Sequence, residues 1–178
     1  MVTFLCLKRK YFVPVIKQVV SSSDIEITAH LAHKIWNLHY VPIIGQEQVD
    51  YMLDKFQNAE AMKQQIENGY EYFIIYHQTY PSGYLALLPD MSKKNLMISK
   101  IYVDSGFRGL NLGTQLLDFS IENAKTKGLN MIWLTVNKNN TKSIEWYQKK
   151  GFLIKENLRI DIGNGFIMDD YRMELTIP

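Results

Sequence analysis

The residues best suited to chemistry lie in one turn, Ser105-Gly106-Phe107-Arg108-Gly109-Leu110-Asn111-Leu112-Gly113. An apolar run ending at Val103 leads into it, and an amphipathic run begins at Thr114. A glycine-rich turn between a strand and a helix suits a phosphate. Its free backbone N–H groups and the positive end of the helix dipole converge on one spot. The loop amides form a small concavity for an anion, and Arg108 adds a fixed cation. The pattern contains neither Gly-x-Gly-x-x-Gly nor Gly-Lys-Ser/Thr, so dinucleotide-fold and Walker-type readings fare worse. A phosphorylated cofactor is therefore expected at Arg108 to Thr114. The competing reading is a plain strand–helix connection with glycines for tight packing.

Elements able to position this turn are legible on both sides of it. Residues 11–20 read as a first strand, with Pro14 pushing it toward a sheet edge. Ser21-Ser22-Ser23-Asp24 starts a helix, with a serine or Asp24 as cap, running to about His39. Ile27, Leu31, Ile35 and Leu38 give it one apolar face. Pro42 and Gly45 break it. Further helices are expected over 46–56, with Val49, Met52, Leu53 and Phe56 inward, and over 59–68, closed by Gly69. Glu71 to His77 is a strand, Pro81-Ser82-Gly83 a turn, and residues 84–88 the returning strand. Residues 95–103 form the central strand. The helix after the glycine turn places Leu117, Ile121 and Ala124 on one face and stops at Gly128. Residues 130–136 are another strand, and Asn139 or Asn140 caps a helix ending at Gly151. The last two strands, 152–162 and 166–177, flank Gly163-Asn164-Gly165, a strong hairpin signal. The expected fold is α/β: a central twisted, mostly antiparallel mixed sheet of about seven strands with helices on both faces.

Composition bounds the rest. A chain of 178 residues suggests a single domain over 1–178, with residues 1–10 as a tail or leading edge strand. At 47% hydrophobic and 21% charged it is ordinary globular material. A net charge of +2 is too small to argue for nucleic acid, and no apolar run is long enough to cross a membrane. Lys8, Arg9 and Lys10 follow the leading apolar residues, whereas a secretory signal would put them first. Cys6 is the lone cysteine, so a reducing, cytoplasmic setting is the default. His30, His33, His39 and His77 show no metal-type spacing with carboxylates, and no metal is expected.

The segment Asn140-Thr141-Lys142-Ser143-Ile144-Glu145-Trp146-Tyr147-Gln148-Lys149-Lys150-Gly151-Phe152 adds a second signal. Together with Arg-x-x-Asn-x-Gly at Arg108 to Gly113, it resembles the GNAT family of N-acetyltransferases. That family carries Gln/Arg-x-x-Gly-x-Gly/Ala in the same strand–turn–helix context, then an Asn seven residues before a Tyr, then Gly-Phe. The resemblance implies acetyl-coenzyme A as donor. Its pyrophosphate would lie on Arg108, Gly109, Leu110, Asn111, Leu112, Gly113 and Thr114. Its pantetheine arm would run along Ile101, Tyr102 and Val103, bonding the backbone of Ile101 and Val103, with Asn140 and Ser143 on the other side. Tyr147 would point at the sulfur. Asn111 stands where the family usually has Gly. Asn is among the few other residues that enter the left-handed region readily, at roughly 1 kcal/mol.

Acetyl transfer to an amine needs a deprotonated nucleophile, and a Lys-like ammonium costs about 4.6 kcal/mol to deprotonate at pH 7. It needs a donor for the oxyanion, for which a backbone N–H near Ile101 to Val103 is the candidate. It also needs a proton or hydrogen bond for the departing thiolate, which Tyr147 can supply. Many relatives carry a Glu on the central strand as base, but Met97 and Ser99 occupy those positions here. Asp104 reads as a turn-forming acid. A water held by backbone and Ser99, Glu71 and His39 are the open candidates for the base.

In this family the acceptor site is walled by the segment between the first helices, here residues 39–54, and by the last hairpin, residues 161–171. His39, Tyr40, Glu47, Asp50, Tyr51 and Asp54 would suit a cationic amine, although Glu47, Asp50 and Asp54 also fit a solvated helix face. The stretch from Gln48 to Leu53 resembles the bacterial polyamine-type members. The expected activity is transfer of acetyl to a primary amine of a small molecule, with a polyamine as one candidate, by direct attack in a ternary complex. A non-catalytic acyl-coenzyme A sensor and a protein or peptide N-acetyltransferase are the alternatives. A homodimer through the last strands is compatible with the sequence but has no residue-level support.

Overall fold

The computed structural model describes residues 13–178. Cys6 and residues 1–10 lie outside them. A seven-stranded sheet runs in the order β1-β2-β3-β4-β5-β7-β6. Its strands are β1 (Val15–Gln18), β2 (Glu71–His77), β3 (Tyr80–Asp90), β4 (Asn95–Val103), β5 (Met131–Asn137), β6 (Leu153–Gly163) and β7 (Phe166–Thr176). Every neighbouring pair is antiparallel except β4 and β5, which are parallel. Helices cover both faces, as the sequence pattern predicts. β1 is shorter than the expected 11–20 and sits at the sheet edge.

On one face lie α1 (Ser22–His39), α2 (Val41–Ile44), α3 (Gln46–Met52) and α4 (Ala59–Glu67). The serine cap of α1 is Ser21, whose hydroxyl accepts from the Asp24 N–H while the Asp24 carboxylate accepts from the Ser21 N–H, a reciprocal capping box. The buried stripe of α1 is Thr28, Leu31, Ala32, Ile35 and Trp36. Leu38, expected inward, is 61% exposed. A stripe stepping by three and four from Thr28 ends on Trp36, and Leu38 falls beyond it. The break expected at Pro42 and Gly45 occurs: α1 ends at His39, Pro42 sits in the first turn of α2, where a missing N–H would be unpaired anyway, and Gly45 ends α2. The helix predicted over 46–56 ends at Met52 and continues as a π-turn, Leu53–Gln57.

The β2–β3 hairpin turns three residues earlier than expected. Its turn is Gln78-Thr79, with Gln78 at φ 59°, and Pro81-Ser82-Gly83 lies inside β3. Ser82 is the extra residue of a bulge between Ile75↔Gly83 and Tyr76↔Pro81, which accommodates the proline. Gly83 serves close approach: a Cβ there would stand 2.5 Å from the Tyr102 carbonyl oxygen on β4.

The other face carries α5 (Leu112–Thr126) and α6 (Thr141–Lys149). Leu112, Leu116, Leu117, Ala124, Ile144 and Phe152 pack there on Ile98, Ile132, Leu134 and Met173. Each buried Leu or Ile contributes about 1.5–3 kcal/mol to holding these helices in place. The Gly163-Asn164-Gly165 hairpin forms as expected, with all three residues at positive φ.

The parallel pair β4–β5 positions everything that follows. It is paired only at Asn95↔Met131, Leu96↔Ile132 and Met97↔Trp133. On its other edge β4 carries a bulge: Leu87 faces Ile98 and Ala86 faces Lys100, leaving Ser99 as the extra residue. A bulge bends and twists its strand, and β4 leaves β5 directly after Met97.

Candidate functional site

Where β4 and β5 part, a cleft of about 570 Å³ opens through the sheet. Ile98, Ser99, Ile101, Tyr102 and Val103 line one side, and Leu134, Thr135 and Val136 the other. The 105–113 loop, the first turns of α5 and α6, and the end of α1 close it. Of the residues anticipated from sequence, Ile101, Tyr102, Val103, Arg108, Gly109, Asn111, Leu112, Gly113, Thr114, Asn140, Ser143 and Tyr147 all line this cleft. Leu110 does not: it is 43% exposed, and its side chain stands outside.

The loop is built from its own polar groups. Asp104 caps a 3₁₀ turn, Ser105–Phe107, by accepting from the Gly106 N–H at 3.0 Å, and pairs with Lys34 of α1 at 2.5 Å. Burial pushes the Asp104 carboxyl up, but Lys34 and Gly106 outweigh it and hold it below the ordinary range. Asp104 is thus a turn-forming acid, as its sequence position suggests. Asn111 adopts φ 60°, ψ 17°, the left-handed conformation that lets the chain enter α5 two residues before Thr114. Gly113 faces the cleft between Trp146 and Val103, and a Cβ there would stand 3.7 Å from the Trp146 ring. The loop, the α5 N-terminus, Arg108 and Lys142 therefore surround one end of the cleft with donors and cations, a fit to a phosphorylated ligand.

The reactive groups line the same cleft. Tyr147 is buried beside Trp146 and Phe152. Burial pushes its phenol well up, so it is protonated at neutral pH. Asn140 occupies the cap position of α6 but its side chain makes no cap bond, contrary to the capping role foreseen. It lies instead 3.2 Å from His39 Nε2, while the Arg108 guanidinium is 3.5 Å from Nδ1. A neutral imidazole accepts at one nitrogen only. Turning the Asn140 carboxamide end for end gives Nε2–H an acceptor and leaves Nδ1 to Arg108. Burial and then the Arg108 charge keep the His39 pKa below its usual value, so the ring is neutral at pH 7.

The open candidates for a base separate cleanly. Glu71 is ion-paired to Lys127 at 3.0 Å, away from the cleft. Ser99 and His39 line it. The foreseen acceptor wall is only partly assembled. His39 and Tyr40 reach the cleft, but Glu47, Asp50, Tyr51 and Asp54 do not. Asp50 and Asp54 border a second groove with Glu26, His30 and His33. Tyr51 ties down the last hairpin, donating to the Ile162 carbonyl at 2.5 Å and packing on Phe166. Lys142, Phe107, Trp146 and Thr135 also line the cleft and were not singled out in the sequence. Lys142 and Trp146 share a helix face four apart, the one signal that could have found them. Among the described residues no group of three or more His, Cys, Asp or Glu is placed to hold a metal.

Known proteins agree with this architecture. Residues 32–152 match the acetyltransferase (GNAT) family model. An uncharacterized N-acetyltransferase of Methanocaldococcus jannaschii is 36% identical over 81 residues, which is 43% of this chain and 36% of that protein's length. The chain therefore spans about a third of that curated relative. The PaiA N-acetyltransferase of Thermoplasma acidophilum, solved in complex with coenzyme A, superposes with a TM-score of 0.75 at 18% identity, covering 92% of this chain and 99% of that one. A GNAT-type structure from Rhodopseudomonas palustris gives 0.78 at 18% identity, over 93% and 96%. The ribosomal-protein-S18-alanine N-acetyltransferase of Escherichia coli gives 0.70 at 17% identity, over 93% and 94%. At these identities the structures speak for the fold, and the family match speaks for descent: the chain belongs to the acetyltransferase (GNAT) family.

Proposed function

We propose that this chain, acting as a single domain, moves an acetyl group from acetyl-coenzyme A to a primary amine of a small molecule, by direct attack in a ternary complex. The observation that carries the reading is the cleft where β4 parts from β5, with the left-handed Asn111 turn at one end and Tyr147 inside it. The amides of Arg108 to Thr114, with Arg108 and Lys142, would hold the pyrophosphate. The open edge of β4 at Ile101 to Val103 would bind the pantetheine arm, with Asn140 and Ser143 opposite. Acetyl-coenzyme A supplies a thioester whose carbonyl carbon the amine attacks. A backbone N–H of β4 would receive the carbonyl oxygen as it gains charge. As the C–S bond breaks, Tyr147 donates a hydrogen bond to the leaving sulfur. A phenol with a raised pKa holds its proton, so it stabilises the thiolate chiefly as a donor.

Tyr40 and Tyr102 line the α1 side of the cleft, ring centroids 6.1 Å apart, with buried Trp36 packed behind them 4.4 Å from Tyr40. These rings support a cationic acceptor such as a polyamine. One cysteine in the whole chain and a coenzyme A donor suit a cytoplasmic setting. β6, an edge strand of 11 residues with Leu153, Ile154 and Ile160 exposed, is the surface through which two copies would pair. The test is release of free thiol from acetyl-coenzyme A in the presence of a panel of amines, with a peptide bearing a free amino terminus as competitor. Turnover with small amines supports the reading, and preference for the peptide moves it to the protein-acetylating class.

A further inference from the structure

Three carboxylates are buried among the described residues: Asp24, Asp104 and Asp170. Asp24 is paired to Lys17 at 2.7 Å and Asp104 to Lys34 at 2.5 Å. Asp170 is 6% exposed and has no ion-pair partner among the described residues. Lys138, whose charge reaches it, is committed to its neighbour Asp169. A buried carboxylate without a cation costs free energy that an apolar residue would not.

Its position gives it a task. On β7, Tyr171 and Met173 pack into the core under α5 and α6. The strand alternation turns Asp170 to the opposite face, the one covered by α1. It pairs across β5 with Asn137. Asn137 stands directly opposite it and Thr135 two residues back on the same face of β5, their polar side chains adjoining its carboxylate, and Tyr40, at the end of α1, is near enough for that carboxylate to help hold its phenol protonated. Thr135 and Tyr40 both line the cleft. The carboxylate therefore lies just behind the lining residues at the mouth opposite α5 and α6, the side walled by aromatic rings.

We propose that Asp170 receives the ammonium of the acceptor amine between Tyr40 and Thr135 and takes its proton. This rests on the acetyl-transfer reading above and names the base that β4 lacks. In the step, an N–H bond of R–NH3⁺ breaks and its proton passes to the Asp170 carboxylate. The freed lone pair forms the N–C bond to the acetyl carbonyl carbon, the C–S bond breaks, and the thiolate leaves against Tyr147. The proton on Asp170 then returns to solvent. The acceptor class is a primary amine that is cationic in solution and carries its charge at the reacting nitrogen.

The surroundings tune the carboxyl for this. Burial pushes it up to about 6, with Asp169 adding to the rise and Thr135, Asn137 and Lys138 opposing it. Tyr40 faces it from α1, and Leu158 stands opposite on β6. A base nearer neutrality accepts a proton from an ammonium with a smaller uphill step.

The experiment compares wild type with Asp170→Asn, which keeps the shape of the side chain. Calorimetry measures binding of coenzyme A, then of spermidine to the coenzyme A complex; thiol release is followed from pH 5 to 9. The Asp170→Asn variant is expected to leave coenzyme A affinity within about two-fold, weaken spermidine binding at least ten-fold, and lower kcat/KM by about 10²–10³-fold with loss of the acidic limb near pH 6. Spermidine binding that depends on Asp170 without any thiol release would uphold the cation site and overturn acetyl transfer. Equal spermidine binding by the two proteins, or an acidic limb surviving in Asp170→Asn, would overturn the assignment of Asp170. So would a wild type that binds coenzyme A but no amine.

Discussion

The Asn140 carboxamide lies 3.2 Å from the imidazole of His39, joining the start of α6 to the end of α1 across 101 residues of chain. Arg108, from the phosphate loop, meets the other ring nitrogen at 3.5 Å. Three elements that share no local sequence thus meet at one neutral histidine in the lining of the cleft. The Arg108 charge helps to keep His39 unprotonated. Arg108→Gln removes a cation, so the protonated ring is favoured and its pKa rises toward the ordinary value. NMR titration of the imidazole C–H resonances checks this. The same change is expected to weaken acetyl-coenzyme A binding about ten-fold, since a charge-assisted contact contributes roughly 1.5 kcal/mol or more.

Tyr147→Phe deletes the hydroxyl but keeps the ring between Trp146 and Phe152. Calorimetric affinity for acetyl-coenzyme A is expected to stay within about two-fold. Turnover is expected to fall by about 10²-fold, the usual scale for loss of an acid or donor to a leaving group. Equal turnover would leave Tyr147 as a packing residue.

Asn111 holds φ 60° without the freedom of glycine. Asn111→Gly relieves a strain of roughly 1 kcal/mol and is expected to preserve or tighten acetyl-coenzyme A binding. Asn111→Val places a β-branched residue in the left-handed region, where it is poorly tolerated. It is expected to lower the melting temperature and to weaken binding by ten-fold or more. Differential scanning fluorimetry with and without the ligand separates the two effects.

Asp170 has a stability consequence whose sign is fixed. Its folded pKa, about 6, lies above the ordinary carboxyl value of 3.8, so between those values the native state binds more protons than the unfolded chain. Stability therefore falls as pH rises through that window, and above pH 6 the full cost remains. The gap corresponds to roughly 3 kcal/mol at about 1.36 kcal/mol per unit. Asp170→Asn is expected to melt higher than wild type at about pH 8, with the difference vanishing near pH 4. Denaturant unfolding at the two pH values measures it.

What was legible in the sequence was local. The turn from Arg108 to Gly113 and the segment from Asn140 to Tyr147 are each contiguous, so spacing alone placed their residues together, and the left-handed geometry of Asn111 follows from residue type. The opposite wall was only partly legible. The resemblance pointed to His39 and Tyr40, which reach the cleft because the end of α1 crosses the splayed strands, but nothing marked Asp170, which the pairing of β7 with β5 sets behind the lining residues. Pairing of distant strands leaves no mark at one position. The same cause misplaced the hairpin turn. Pro81-Ser82-Gly83 has turn chemistry, but the approach of the Tyr102 carbonyl claims the glycine, and a bulge absorbs the proline. Asp50 and Asp54 read equally well as acceptor ligands or as a solvated face, and the π-turn after Met52 leaves them on the second groove.

Thiol release from acetyl-coenzyme A, followed as a function of added primary amine, decides whether the cleft between β4 and β5 catalyses acetyl transfer. The expected result is saturable, amine-dependent release that Tyr147→Phe suppresses while acetyl-coenzyme A binding is retained. Tight binding of acetyl-coenzyme A with no amine-dependent release, for small amines and peptides alike, would contradict catalysis and make the chain a binding module.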